Sequence, residues 1–132
     1  MIRAMAKSGG VMGIPFIRFM VRGEEPVTVE HALDQFDYVA KLVGLEHVGL
    51  GTDLDVRGNP NPMGVPEPTN QPNFDRYRLH RDTDSSITVK QLDHPKRAYD
   101  VAEGLIRRRY SDANIRLILG GNWARCLGTI WM

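Results

Sequence analysis

From position 29 onward apolar side chains recur at alternating steps of three and four: Val29, Ala32, Leu33, Phe36, Val39, Ala40 and Val43. That period places them on one face of a helix, with Glu30, Asp34, Asp37 and Lys41 opposite. Thr28 stands where an N-cap belongs, Glu30 falls in the first turn, and Gly44 supplies the stop. On either side the pattern changes to short apolar runs between turn residues: "VMGIPF" at residues 11–16 and "HVGLGTD" from about His47. Each predicts a buried strand, so strand, helix and strand make one βαβ unit of ordinary length.

The flanks are helical. "MIRAMAKSGG" reads as the last turns of an amphipathic helix, with Ile2, Met5 and Ala6 at helical spacing, Lys7 near the negative end and Gly9 as a left-handed cap. So short a helix is costly to nucleate alone, and the chain is expected to start within a longer one; a harmless frayed stub is the alternative. Toward the C-terminus, Asp93 or His94 would cap a helix with Pro95 at its first position. Ala98, Val101, Ala102, Leu105 and Ile106 would be its buried face, and the basic run at 107–109 a solvated end. Ser111 would cap a further segment with Ile115, Ile118 and Leu119 inward. Gly120 and Gly121 then break it before a last helix that Asn122 caps and in which Trp123, Cys126, Leu127 and Ile130 pack inward.

Two acids follow the second strand, Asp53 and Asp55. By alternation Val48, Leu50 and Thr52 face the helices, whereas His47, Gly49, Gly51 and Asp53 share the other face. In a closed barrel that face is the interior. The glycines would leave room there, and Asp53 would stand at the carboxyl end of its strand, where α/β barrels carry their chemistry. On the residues alone, the simpler reading is that Asp53 merely caps the loop that follows the strand. Residues 56–92 read as one long loop hanging over the same end, because five prolines between Pro60 and Pro72 exclude regular structure. His80 and Asp82 within it superficially form a His-x-Asp metal pair, but no strand precedes them to align both ligands. His31 and His94 read as surface or capping residues.

Composition narrows the picture without adding a site. Within 132 residues, 42% hydrophobic and 25% charged, there is room for one core. Seventeen basic against 16 acidic side chains leave a net charge of +1, which provides no general attraction to nucleic acid or anionic lipid. The single cysteine, Cys126, can make neither an internal disulfide nor a zinc cluster and reads as a small buried hydrophobe. No transmembrane segment is expected, since Pro15 and Arg18 interrupt the most apolar run.

The order "SGGVMGIPF", "TVEHALDQFDYVAKLVGLEHVGLGTDLD" and "GLIRRRYSDANIRLILGGNWARCL" resembles the C-terminal part of the membrane (renal) dipeptidase family of zinc metallopeptidases. Its most specific pieces are "HVGLGTDLD", similar to the family's Gly-Ser-Asp-Phe-Asp-Gly segment, and "YSDANIRLILGGNWAR", similar to its Leu-Gly-Gly-Asn-Phe-x-Arg ending. Thr52, Leu54 and Val56 depart from the family's Ser, Phe and Gly.

The resemblance implies an α/β fold, the C-terminal part of a (β/α)8 TIM-type barrel. Residues 1–132 would be a single partial domain with about the last two βα units and the terminal helices. It also implies hydrolysis of a dipeptide substrate at a binuclear zinc centre, with Asp53 as the catalytic acid beside the metal-activated water. Asp55, on the other side of the strand, would support the loop. The family's zinc ligands would lie upstream of Met1, so this chain is expected to bind no metal by itself. His47, about 20 Å from Asp53 by strand rise, could not share a metal with it. Either the missing barrel half completes an enzyme that this portion alone cannot be, or the chain is a non-catalytic assembly module that covers its open edges through homo-oligomerisation.

Overall fold

The computed structural model describes residues 1–54 and 88–131. Helix α1 (Ile2–Lys7) ends where Gly9 takes φ 80°, and the amides of Gly9 and Gly10 close back on the carbonyls of Ala6 and Met5. Strand β1 (Met12–Ile14) follows, and a helical turn, α2 (Arg18–Val21), leads to the long helix α3 (Val29–Val43). A tight turn then feeds β2 (Val48–Leu50), which pairs with β1 in parallel, Met12 opposite Val48 and Ile14 opposite Leu50. This is the βαβ unit that the hydrophobic period predicted.

Helix α3 begins in a capping box: the Thr28 side chain accepts from the His31 amide, and the Thr28 amide donates to His31 Nδ1 at 3.1 Å. His31 is thus a cap partner, and Gly44 at φ 102° ends the helix. Ala32, Leu33, Phe36 and Val39 are all buried, with Val29, Ala40 and Val43 at the core's margin. Against them lie Ile14 and Val48 from the sheet, and Val101 and Leu105 from helix α4 (Arg97–Arg107).

Two short helices complete the fold, α5 (Asp112–Arg116) and α6 (Asn122–Trp131), joined through a wide turn with non-helical backbone at Gly120. Ser111 caps α5 as expected, its hydroxyl accepting the Asn114 amide at 3.3 Å, and Ile115 and Ile118 are buried.

Several sequence expectations are corrected. Helix α4 starts at Arg97, with the Lys96 amide donating to His94 Nδ1 in the preceding turn. Its buried stripe is Arg97, Val101, Gly104 and Leu105, while Ile106 is 59% exposed. The helices approach so closely at Gly104 that a Cβ there would lie 2.4 Å from Leu33, which rotates the stripe away from Ile106. Ile130 is 67% exposed and Cys126 only half-buried, because the last turns of α6 extend beyond the core. The expected loop at 56–92 ends early: Thr88 bridges Ile17, and Val89 and Leu92 are core residues. Asp55, His80 and Asp82 lie outside the described residues. The described residues are a mixed α/β arrangement, and their two strands do not by themselves display a barrel.

Candidate active site and family membership

The ladder between the strands continues past β2, with the Gly51 amide donating to Ile14 at 3.2 Å and the Phe16 amide to Thr52 at 3.0 Å. Asp53 is the next residue. It is exposed, with φ 56°, a left-handed conformation that costs most side chains but is tolerated by aspartate. Leu54 then packs against the core. Asp53 is therefore fixed between a paired residue and a packed one, its carboxylate outside the core at the carboxyl end of a parallel strand. Phe16 also accepts the Val89 amide at 2.9 Å, so three chain segments meet at this end of the sheet.

The glycines behind Asp53 do not leave an open space. Gly13 and Gly51 bring the two backbones so close that a Cβ on either would come within 2.8 Å of the other's Cα. The Trp123 indole covers the same face, with Nε1 2.7 Å from where a Cβ on Gly49 would sit, and donates to the Leu50 carbonyl at 2.7 Å. The room expected for chemistry is filled by an aromatic ring.

Nor is Asn122 a cap. It is fully buried, and its Nδ2 donates to the carbonyls of Leu45 and Val48, both at 2.8 Å. Arg125 reaches the carbonyls of Glu46 and Gly9, at 2.7 and 3.2 Å. The "GGNWAR" segment is thus a backbone clamp on β2 and its approach. Its donors at 122, 123 and 125 were visible in the sequence, but not what they would meet.

The acidic face of α3 is engaged as well. Arg108 donates to Glu30 and Asp34 at 2.8 and 2.7 Å and to Asp37, Arg107 pairs with Glu30 at 2.6 Å, and the Tyr110 hydroxyl donates to Asp37 at 2.6 Å. Arg107 and Arg108 clamp the end of α4 to α3, while Arg109 is exposed as a solvated end. Burial opposes the Arg108 charge, but its hydrogen bonds to the three acids outweigh this and raise its pKa. Burial, with the bond to Asp37, raises the Tyr110 phenol above its usual range.

Among the described residues no three His, Cys, Asp or Glu side chains converge as a metal centre requires. His47 Nδ1 is 2.8 Å from the Gly10 carbonyl, at the opposite end of β2 from Asp53, and His94 contacts Asp100 at 3.0 Å. These residues do not fit a zinc site, and no metal-dependent step is assigned to them.

The profile of the membrane dipeptidase family, peptidase family M19, matches residues 1–85, more than half of the 132 and inclusive of Asp53. The chain belongs to the membrane dipeptidase family. It is 32% identical over 76 residues to an uncharacterized dipeptidase of Schizosaccharomyces pombe, covering 55% of this chain and 18% of that protein. With dipeptidase verJ of Clonostachys rogersoniana it shares 28% identity over 123 residues, 93% of this chain and 24% of the relative. The chain therefore spans about a fifth to a quarter of the curated relatives it matches. No solved structure matches.

Proposed function

We propose that these residues act as the C-terminal part of a zinc-dependent dipeptidase with a (β/α)8 barrel, and that Asp53 is their catalytic contribution. The observation carrying this is the placement of Asp53: an exposed carboxylate, held in left-handed backbone, immediately after a parallel strand. Strained backbone at the carboxyl end of such a strand is where functional groups concentrate. There Asp53 handles a proton at the scissile amide and orients the dipeptide. The metal ligands come from sequence outside these 132 residues, consistent with the share of each relative that the chain covers. Alone, the chain is inactive.

The test is Asp53→Asn in the complete dipeptidase, with zinc measured by elemental analysis and turnover on a dipeptide panel. Expected is a loss of kcat on the order of 10²-fold or more at unchanged zinc content. Activity within about threefold of the parent removes Asp53 from the chemistry. Stoichiometric zinc and turnover by the isolated 132-residue chain would remove the need for outside ligands.

A further inference from the structure

One helical turn follows the end of β1, on the side of the sheet that carries Asp53. The Phe16 amide donates to the Thr52 carbonyl at 3.0 Å, so Phe16 lies beside the peptide that joins Thr52 to Asp53. Ile17 comes next and starts α2, its carbonyl accepting the amides of Met20 and Val21, both at 3.0 Å. Met20 is thus a single turn beyond Ile17, about 4.5 Å along the helix axis. Four residues are too few to hold a helix by themselves. Here the turn is anchored by the buried side chains of Ile17, Arg18 and Val21. Arg18 Nε donates to Glu25 Oε1 at 2.8 Å, and Glu25 Oε2 takes the Val27 amide at 2.8 Å. From α3 the Gln35 side-chain amide donates to the Val21 carbonyl at 3.1 Å. With its buried neighbours turned to the core, Met20 is turned away from it and is 51% exposed. A fixed turn therefore displays a large apolar side chain at the end of the sheet where Asp53 stands.

We propose that Met20 forms an apolar wall of the dipeptide site and sets the preference for the substrate's side chains, a role that rests on the reading of Asp53 as the catalytic acid of the complete enzyme. The substrate limits the distance involved. A fully extended dipeptide spans about 7 Å, so one held at Asp53 extends little farther than the first turn after β1. An aliphatic side chain on it leaves water for the flexible, polarisable thioether, whereas glycine has nothing to place there. Met20 touches that side chain and not the reacting atoms, so it is a specificity residue. The anchoring by Glu25 and Gln35 keeps the wall in place before substrate arrives.

The test uses the complete dipeptidase and compares kcat/KM for glycyl-leucine and leucyl-glycine with that for glycylglycine. Met20→Ala should lower at least one of the two ratios about tenfold. Met20→Leu keeps the apolar volume and should hold both ratios within about twofold. Met20→Glu should raise glycyl-lysine over glycyl-leucine, or lysyl-glycine over leucyl-glycine, at least about tenfold, because it removes apolar cover and adds an opposite charge. Met20→Gln, close in shape but polar, decides by the leucine ratios if the truncated or charged side chain prevents folding. Ratios within about twofold of the parent in the variants other than Met20→Leu overturn the proposal. So does an equal loss on every dipeptide, which marks a structural role only. Asp53→Asn reads kcat and the Met20 variants read ratios, so this proposal can fail with the dipeptidase reading intact. A parent that hydrolyses no dipeptide removes that reading and the wall with it.

Discussion

Gly13→Ala and Gly128→Ala add the same methyl group and should move stability in opposite directions. At Gly13 the new Cβ would lie 2.8 Å from the Gly51 Cα, 3.2 Å from Trp123 Cζ2 and 3.3 Å from the Gly51 amide nitrogen. Two of these neighbours are backbone and cannot rotate aside, so the strands must part by several tenths of an ångström. That strains the Gly51–Ile14 and Phe16–Thr52 hydrogen bonds, at 3.2 and 3.0 Å. Overpacking of this kind costs about 1–3 kcal/mol. The smaller entropy loss of alanine returns roughly 0.5–1 kcal/mol, leaving a net loss of about 1–2 kcal/mol. At Gly128, inside α6, a Cβ meets nothing within 4 Å. There helix propensity acts alone, with a gain of roughly 0.5–1 kcal/mol. Urea unfolding followed by far-UV circular dichroism measures both, giving a separation of about 1.5–3 kcal/mol by those two estimates. A Gly13→Ala protein at least as stable as the parent, or two shifts of the same sign, refutes the close strand approach.

Arg108→Ala removes the donor shared by Glu30, Asp34 and Asp37 and leaves three carboxylates facing one another. All three acids are at least a third exposed, so screening limits the loss to about 1–2 kcal/mol. Comparison of melting temperatures in low and high salt should show the variant recovering part of the deficit as its repulsion is screened. Tyr110 has a folded pKa above its unfolded value of about 10. The stability contributed by its neutral phenol is therefore full below about pH 10 and declines as pH rises beyond that. Across that range the wild-type melting temperature should fall more steeply than that of Tyr110→Phe, and parallel profiles would contradict the half-buried Tyr110–Asp37 bond.

The α3 helix was legible because every signal that defines it is local. Its apolar period, Thr28 before it and Gly44 after it together specify a boundary within the reach of a few bonds, and the structure has Val29–Val43. Parallel pairing was legible for a related reason, since a connection that contains a helix cannot make a tight hairpin. Asp53 could be placed at the end of its strand by alternation alone. What the period could not say was which element would arrive at each face. Arg108 meets Asp34 across 74 positions, Trp123 meets Leu50 across 73, and Asn122 meets Leu45 across 77. No local pattern distinguishes such donors from solvated ones. The glycine face illustrates the difference: small residues at 13, 49 and 51 announced a place where something comes close, and only the folded chain determined that it was another backbone and an indole ring. The sequence by itself determined the elements, their polarity and the position of the acid, because these depend on neighbours three or four residues away. The tertiary structure decided what covers the sheet edge, which charges pair and which apolar residues stay outside, because those depend on packing between segments that the chain brings together only when folded.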